Sequence, residues 1–208
     1  MKTPLHYQVT EYDCGPTSLL NRIEYLFERE EIPPEIVRNT MLYCLDCFGT
    51  DGVSGKSGTS CTAMMFLSNW LNGFGQAGHL PVSSSYLQGR AVNFGQNSRL
   101  LEALYCGGVA VVRLDLEGWH YVLLTGIQED GVRVFDPYFE EPASAGTSAD
   151  IRYVTGSPFS HNRIVPVSCF EQTEISRYAL GPEENRECVL LFNENTRLTE
   201  EKTVEYFI

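Results

Sequence analysis

The chain has 208 residues, 43% of them hydrophobic and 20% charged, with a formal net charge of −12. That length and composition describe one ordinary globular domain with a substantial core. The acidic balance, with no basic stripe to release counterions, argues against a nucleic-acid partner and offers nothing to attract a membrane surface.

No run approaches the roughly 18 apolar residues of a membrane span, and the opening MKTPLHYQVTEYD lacks the apolar stretch of a secretion signal. Seven cysteines, at positions 14, 44, 47, 61, 106, 169 and 188, are an odd number in a chain too long to need a disulfide scaffold. Reduced thiols in a cytoplasm are the expectation.

In chain order, Leu19, Leu20, Ile23, Leu26 and Phe27 fall on one helical face, which predicts a first helix over residues 17 to about 31. Pro33 and Pro34 are expected to stop it, because neither ring nitrogen carries a hydrogen and each ring fixes φ. A second short helix is expected over residues 35 to about 45, followed by a glycine- and serine-rich loop over residues 48 to 60. Thr59 or Ser60 can cap a third helix, whose apolar face of Ala63, Met64, Phe66, Leu67, Trp70 and Leu71 ends at Gly73. Residues 75 to 96 read as polar and irregular. Asn97 or Ser98 then starts a helix closed by Gly107 and Gly108.

From Val109 the character changes. "VAVVRLDL", "HYVLLTGI" and "VRVFDP" read as strands rich in branched and aromatic residues, and "RIVPV" and "CVLLF" as two more. Helices first and a mainly antiparallel sheet second give an α+β fold. The whole chain, residues 1–208, is assigned to one domain: a helical lobe over about 14–107, a β lobe over about 108–193, and an acidic tail over 194–208.

Chemistry concentrates in "QVTEYDCGP". Cys14 stands just before the expected helix, with Gly15 permitting close backbone approach and Pro16 suited to the first turn. The partial positive charge at a helix start favours a thiolate, the nucleophilic form of cysteine. The alternative is a buried cysteine packing as a small apolar group, which Asp13 and Gly15 on either side fit poorly. Nucleophilic attack also needs a base and donors for the oxyanion. Gln8, six positions upstream, can swing its amide beside the Cys14 backbone N–H to supply the second donor.

Of the four histidines, His120 opens a strand, and Asp136 ends the next one 16 residues later. Across an antiparallel pair a carboxylate there can orient the imidazole and stabilise its charged form. Taken singly, His120 reads more readily as a hydrogen-bonded sheet residue and Asp136 as a turn residue before Pro137. A two-residue turn at Asp130 and Gly131 places Asp136 opposite Thr125, on the face away from His120. The pairing therefore predicts a longer loop, roughly residues 126 to 130, or else a bulge; the longer loop is the expectation.

"QVTEYDCGP" together with "HYVLLTGI" and "VRVFDP" resembles the C39 and C39-like cysteine peptidases, within the papain-like cysteine protease fold. The resemblance covers the first 30 residues and about residues 100 to 138. It implies Cys14 as nucleophile, His120 as base, Asp136 as orienting residue and Gln8 in the oxyanion hole. The activity implied is thiol-dependent cleavage of a peptide or amide bond, with no cofactor or metal. The best-known members are fused to membrane exporters and cut leader peptides after two glycines; for this chain no transmembrane part is expected. Acyl transfer or deamidation on the same residues, and a catalytically silent peptide-binding module, are the alternatives. Trp119 and Tyr121, flanking His120, can line a substrate groove or pack within the sheet.

Other signals fall short. Cys44 and Cys47 form C-L-D-C, but no second tight pair completes a zinc site. "SGKSGTS" shares the end of a phosphate-binding loop, yet Thr50 stands where the first glycine belongs; a flexible loop near the cleft is expected instead. His161 with Asn162 is a rival base and orienter, read as a surface turn because no strand start frames it.

Overall fold

The structure is a computed structural model describing residues 1–115, 118–141 and 150–199. Helices α1 (Cys14–Leu26), α2 (Pro34–Tyr43) and α3 (Cys61–Gln76) come first, then β1 (Val82–Gln88) and α4 (Arg99–Tyr105). Strands β2 (Val109–Asp115), β3 (Trp119–Gln128), β4 (Gly131–Phe135), β5 (Arg152–Tyr153) and β6 (Arg163–Val165) follow. A one-turn helix, α5 (Val167–Phe170), precedes β7 (Glu187–Asn193). The strands form one seven-stranded sheet in the order β1-β7-β2-β3-β4-β6-β5, with every neighbouring pair antiparallel.

The sheet is buried on both faces. Odd-numbered Val109, Val111, Tyr121, Leu123, Val189 and Leu191 pack against Leu19, Ile23, Met64, Leu67 and Leu71 of α1 and α3. Even-numbered Ala110, Val112, Leu114, Val122, Leu124 and Leu190 pack the other way, against Leu100, Ala103 and Leu104 of α4 and Phe94, Phe170 and Tyr178. This is the period-two alternation of a pleated strand, and two-sided burial is why β2 and β3 read as unbroken apolar runs. Each buried Val, Leu or Phe contributes about 1.5–3 kcal/mol relative to exposure.

Helix ends depart from expectation for identifiable reasons. α1 begins at Cys14 and ends at Leu26, well before Pro33, and Phe27 is already extended (φ −118°, ψ 155°). Lys2 Nζ donates to the carbonyls of Tyr25 (2.6 Å) and Phe27 (3.0 Å), satisfying acceptors and supplying positive charge at the helix C-terminus. Pro34 does not stop a helix but begins α2, where its missing N–H costs nothing. Ser60 caps α3 by accepting from the Ala63 N–H (3.1 Å). That helix runs through Gly73 to Gln76. At Gly75 a Cβ would collide with the Val82 backbone carbonyl, so glycine lets α3 lie directly on β1.

The stretch over residues 75–96, read as irregular, contains β1, which pairs along its whole length with β7. Its serines mask the pattern, because Ser84 is buried with partners: its Oγ donates to the Leu190 carbonyl (3.0 Å) and lies 2.7 Å from Ser68 Oγ. Of the acidic tail, the Leu198 N–H bonds the Cys106 carbonyl, and residues 200–208 lie outside the described residues. No described helix is long and apolar enough to cross a membrane.

The β3–β4 hairpin corrects the expected longer loop. Gln128 faces Gly131, so the turn is the two-residue Glu129-Asp130, and Ile127↔Val132 and Gly126↔Arg133 follow. The register then shifts to Leu124↔Val134 and Leu123↔Phe135, leaving Thr125 as the extra residue of a bulge. Continued by one residue, this register sets Asp136 across from Val122, on the same face as His120.

Candidate active site

The loop leading into α1 is folded around Asp13. Its carboxylate accepts the Val9 N–H (2.9 Å), the Thr10 N–H (2.6 Å) and both the Thr10 and Thr17 hydroxyls. Burial pushes this acid up, but the hydrogen bonds from Thr10 and Val9 outweigh it and hold the carboxyl below its ordinary value. Asp13 therefore stays ionised and fixes the segment from Val9 to the helix tip. On the other side of the tip, a Cβ on Gly15 would lie 2.5 Å from Thr59 Oγ1, so Gly15 admits the end of the glycine-rich loop. That loop thus sits behind the helix tip, and none of its residues lines the cleft described below.

From β3 comes His120, whose Nε2 lies 2.8 Å from Asp136 Oδ1. Asp136 is held from several directions. Its Oδ2 accepts the Tyr178 hydroxyl (2.8 Å) and its Oδ1 the Tyr138 N–H (3.0 Å). The Asn162 amide clamps the Asp136 backbone reciprocally, accepting its N–H and donating to its carbonyl, each at 2.8 Å. Burial pushes the carboxyl up, and the His120 ring with the Tyr138 and Tyr178 donors reverses this, leaving it below its ordinary value.

Burial likewise opposes charge on His120, but Asp136, by charge and by hydrogen bond, raises the imidazole to about 10. The neighbouring Cys14 thiol adds to the same shift. With Nε2 committed to Asp136, Nδ1 is the ring atom left for sulfur. The structure thus brings Cys14, His120 and Asp136 together, although the first belongs to the core between the sheet and α1 and α3 and the other two lie on the α4 side of the sheet.

A cleft of about 620 Å³ opens beside this cluster, lined by Gln8, Trp119, His120, Asp136 and Tyr178 together with Glu11, Tyr138, Glu140 and Arg177. That size suits a ligand or a short peptide segment. Cys14 is 6% exposed and is not among the residues that line the cleft. Gln8 is fixed by its backbone N–H to the Pro137 carbonyl (2.9 Å), and one amide hydrogen goes to the Thr10 carbonyl (2.7 Å). Trp119 is 45% exposed on the cleft wall, with the Arg113 guanidinium stacked 4.1 Å from its ring centre.

Tyr121 does not join the cleft. It points to the other face, 2% exposed, with its hydroxyl bonded to the Glu187 carboxylate and 3.3 Å from the Thr59 carbonyl. The alternation along β3 turns Tyr121 away from His120's side, whereas Trp119, the first residue of the strand, still reaches the cleft rim.

The His161 ring lies against its neighbour's hydroxyl, with Nδ1 3.0 Å from Ser160 Oγ. Asn162, by contrast, is buried against Asp136 and not in a surface turn. Tyr178 and Asn162 are the site residues that sequence reasoning missed as partners of Asp136. Neither lies in a periodic segment, and only the polar His161-Asn162 pair offered a signal. No group of three or more His, Cys, Asp or Glu side chains is placed to hold a metal ion among the described residues. Cys44 is buried, its thiol pushed up to about 12 by desolvation.

No family model matches the chain, and no curated protein matches it. Among solved structures, it is similar to the peptidase domain of Streptococcus mutans ComA, at 13% identity over 90% of this chain and 98% of that one, with a TM-score of 0.40.

Proposed function

We propose that this chain is a thiol-dependent hydrolase of the C39-like, papain-like type, cleaving a peptide or amide bond. The observation that carries the reading is the His120 ring held by Asp136 at 2.8 Å with the helix-tip thiol of Cys14 beside it. In this reading His120 takes the Cys14 proton, and the thiolate attacks the substrate carbonyl carbon. The negative charge gathering on the carbonyl oxygen meets the Cys14 backbone N–H and the second amide hydrogen of Gln8. His120 then gives its proton to the leaving nitrogen as the C–N bond breaks, leaving a thioester. Water, deprotonated by His120, hydrolyses that ester and returns the thiol. Asp136 keeps the ring oriented throughout and stabilises its charged form while it carries the proton within each half.

A thiol-directed alkylating probe tests this against a fold that only binds peptides. Cys61 is an exposed cysteine in the same molecule and so serves as a stringent internal standard. Labelling of Cys14 near neutral pH that outpaces Cys61, and loses that lead in Asp136→Asn, is the expected result. Labelling of Cys14 slower than Cys61 overturns the reading. Product analysis in the presence of an added amine separates hydrolysis from acyl transfer.

A further inference from the structure

The charges lining the cleft do not cancel. Its cationic groups are both engaged: His120 pairs with Asp136, and Arg177 with Glu140, which also accepts the Tyr153 hydroxyl (3.0 Å). Glu11, exposed at the cleft edge, has no ion-pair partner among the described residues. Beside it in the lining stand two aromatic side chains, Trp119 and Tyr138, each 45% exposed. A free carboxylate among accessible rings suits a cation, which the carboxylate attracts by charge and the rings by their negative faces. Trp119 already accepts such a group, since Arg113 stacks on it at 4.1 Å. The net charge of −12 adds a long-range field that draws cations toward the molecule.

We propose that the substrate carries a cationic side chain, lysine or arginine, next to the bond that is cleaved, and that Glu11 with the Trp119 and Tyr138 rings receives it. This assignment rests on the thiol-hydrolase reading. An acidic substrate residue would have to displace Glu140 from Arg177, whereas a basic one finds the Glu11 carboxylate without an ion-pair partner among the described residues and the face of Trp119 away from Arg113.

Peptidyl acyloxymethyl ketones test the assignment, because they read the cleft through alkylation of Cys14 without requiring turnover. Three matched sets carry lysine, norleucine or glutamate beside the reactive carbon, and labelling at each cysteine is followed by mass spectrometry. The lysine set should label Cys14 about fivefold faster than the norleucine set, a difference typical of one exposed charge or cation–ring contact. That ratio should fall toward one in Glu11→Gln and at 0.5 M salt. If lysine and glutamate sets label Cys14 equally fast, the basic-substrate assignment is wrong while the thiol reading stands. If no set labels Cys14 faster than Cys61, both fall together.

Discussion

The hydroxyl of Tyr178 donates to Asp136 Oδ2 at 2.8 Å, from a residue whose backbone sits in the left-handed region at φ +66°. Non-glycine residues seldom adopt that conformation, so the surrounding packing holds Tyr178 there at a local cost. Tyr178→Phe removes the donor and leaves a buried carboxylate oxygen without its partner. The expected loss is about 1–3 kcal/mol of unfolding free energy, read from urea denaturation. Unchanged stability would mean that the hydroxyl adds nothing to holding Asp136.

Asp136→Asn keeps the shape and removes the charge. Asp136 is what lifts the imidazole against burial, so the His120 pKa should drop from about 10 to below the usual imidazole value. An NMR titration of the His120 ring reads this directly. Turnover should fall by roughly a hundredfold to 10⁴-fold, as in other sites that lose the orienting carboxylate.

The same pair fixes a pH dependence of stability. The His120 pKa is raised on folding, so its contribution is complete below about pH 6.5 and fades as pH climbs toward 10. The Asp136 pKa is lowered, so its contribution is complete above about pH 4 and fades in more acid solution. The gap in unfolding free energy between the native chain and His120→Gln should therefore be widest between those limits and narrow from pH 7 to pH 10. A gap that widens with rising pH would refute the sign of the shift.

Two glycines of α3 should respond oppositely to alanine. Around Gly73 nothing lies within 4 Å of a Cβ, so Gly73→Ala should stabilise by about 0.5–1 kcal/mol through helix propensity. At Gly75 the methyl meets the Val82 backbone, and Gly75→Ala should cost about 3 kcal/mol or more. Thermal melts of the two variants decide the matter.

Cys14→Ala should abolish turnover, a loss of roughly 10⁴-fold or more, while changing stability by only about 1 kcal/mol. Full activity in that variant would remove Cys14 from the chemistry.

Local signals carried much of this architecture. The apolar spacing of α1 and α3, the cap at Ser60 and the branched runs of β2, β3 and β7 are all properties of a few adjacent residues and were legible, although Phe66, read into the apolar face of α3, is 43% exposed. β1 was illegible because Ser84 is buried through hydrogen bonds to Ser68 and Leu190, partners that sequence pattern does not reveal. Cys14, His120 and Asp136 stood out by residue type at strand and helix ends. The device that aligns His120 with Asp136 did not, since a bulge at Thr125 and a longer turn satisfy the same spacing. Tyr178 and Asn162 were invisible as partners of Asp136, lying 42 and 26 residues from it along the chain.

Sulfur and imidazole belong to different halves of the packed molecule, one fastened to the three-helix layer and the other to the layer built on α4 and Tyr178. Neither layer alone can assemble the pair. A nascent chain still emerging, or a fragment ending before β3, carries its thiol without the ring that would activate it. On the proposed reading, reactivity is thereby tied to completion of the fold.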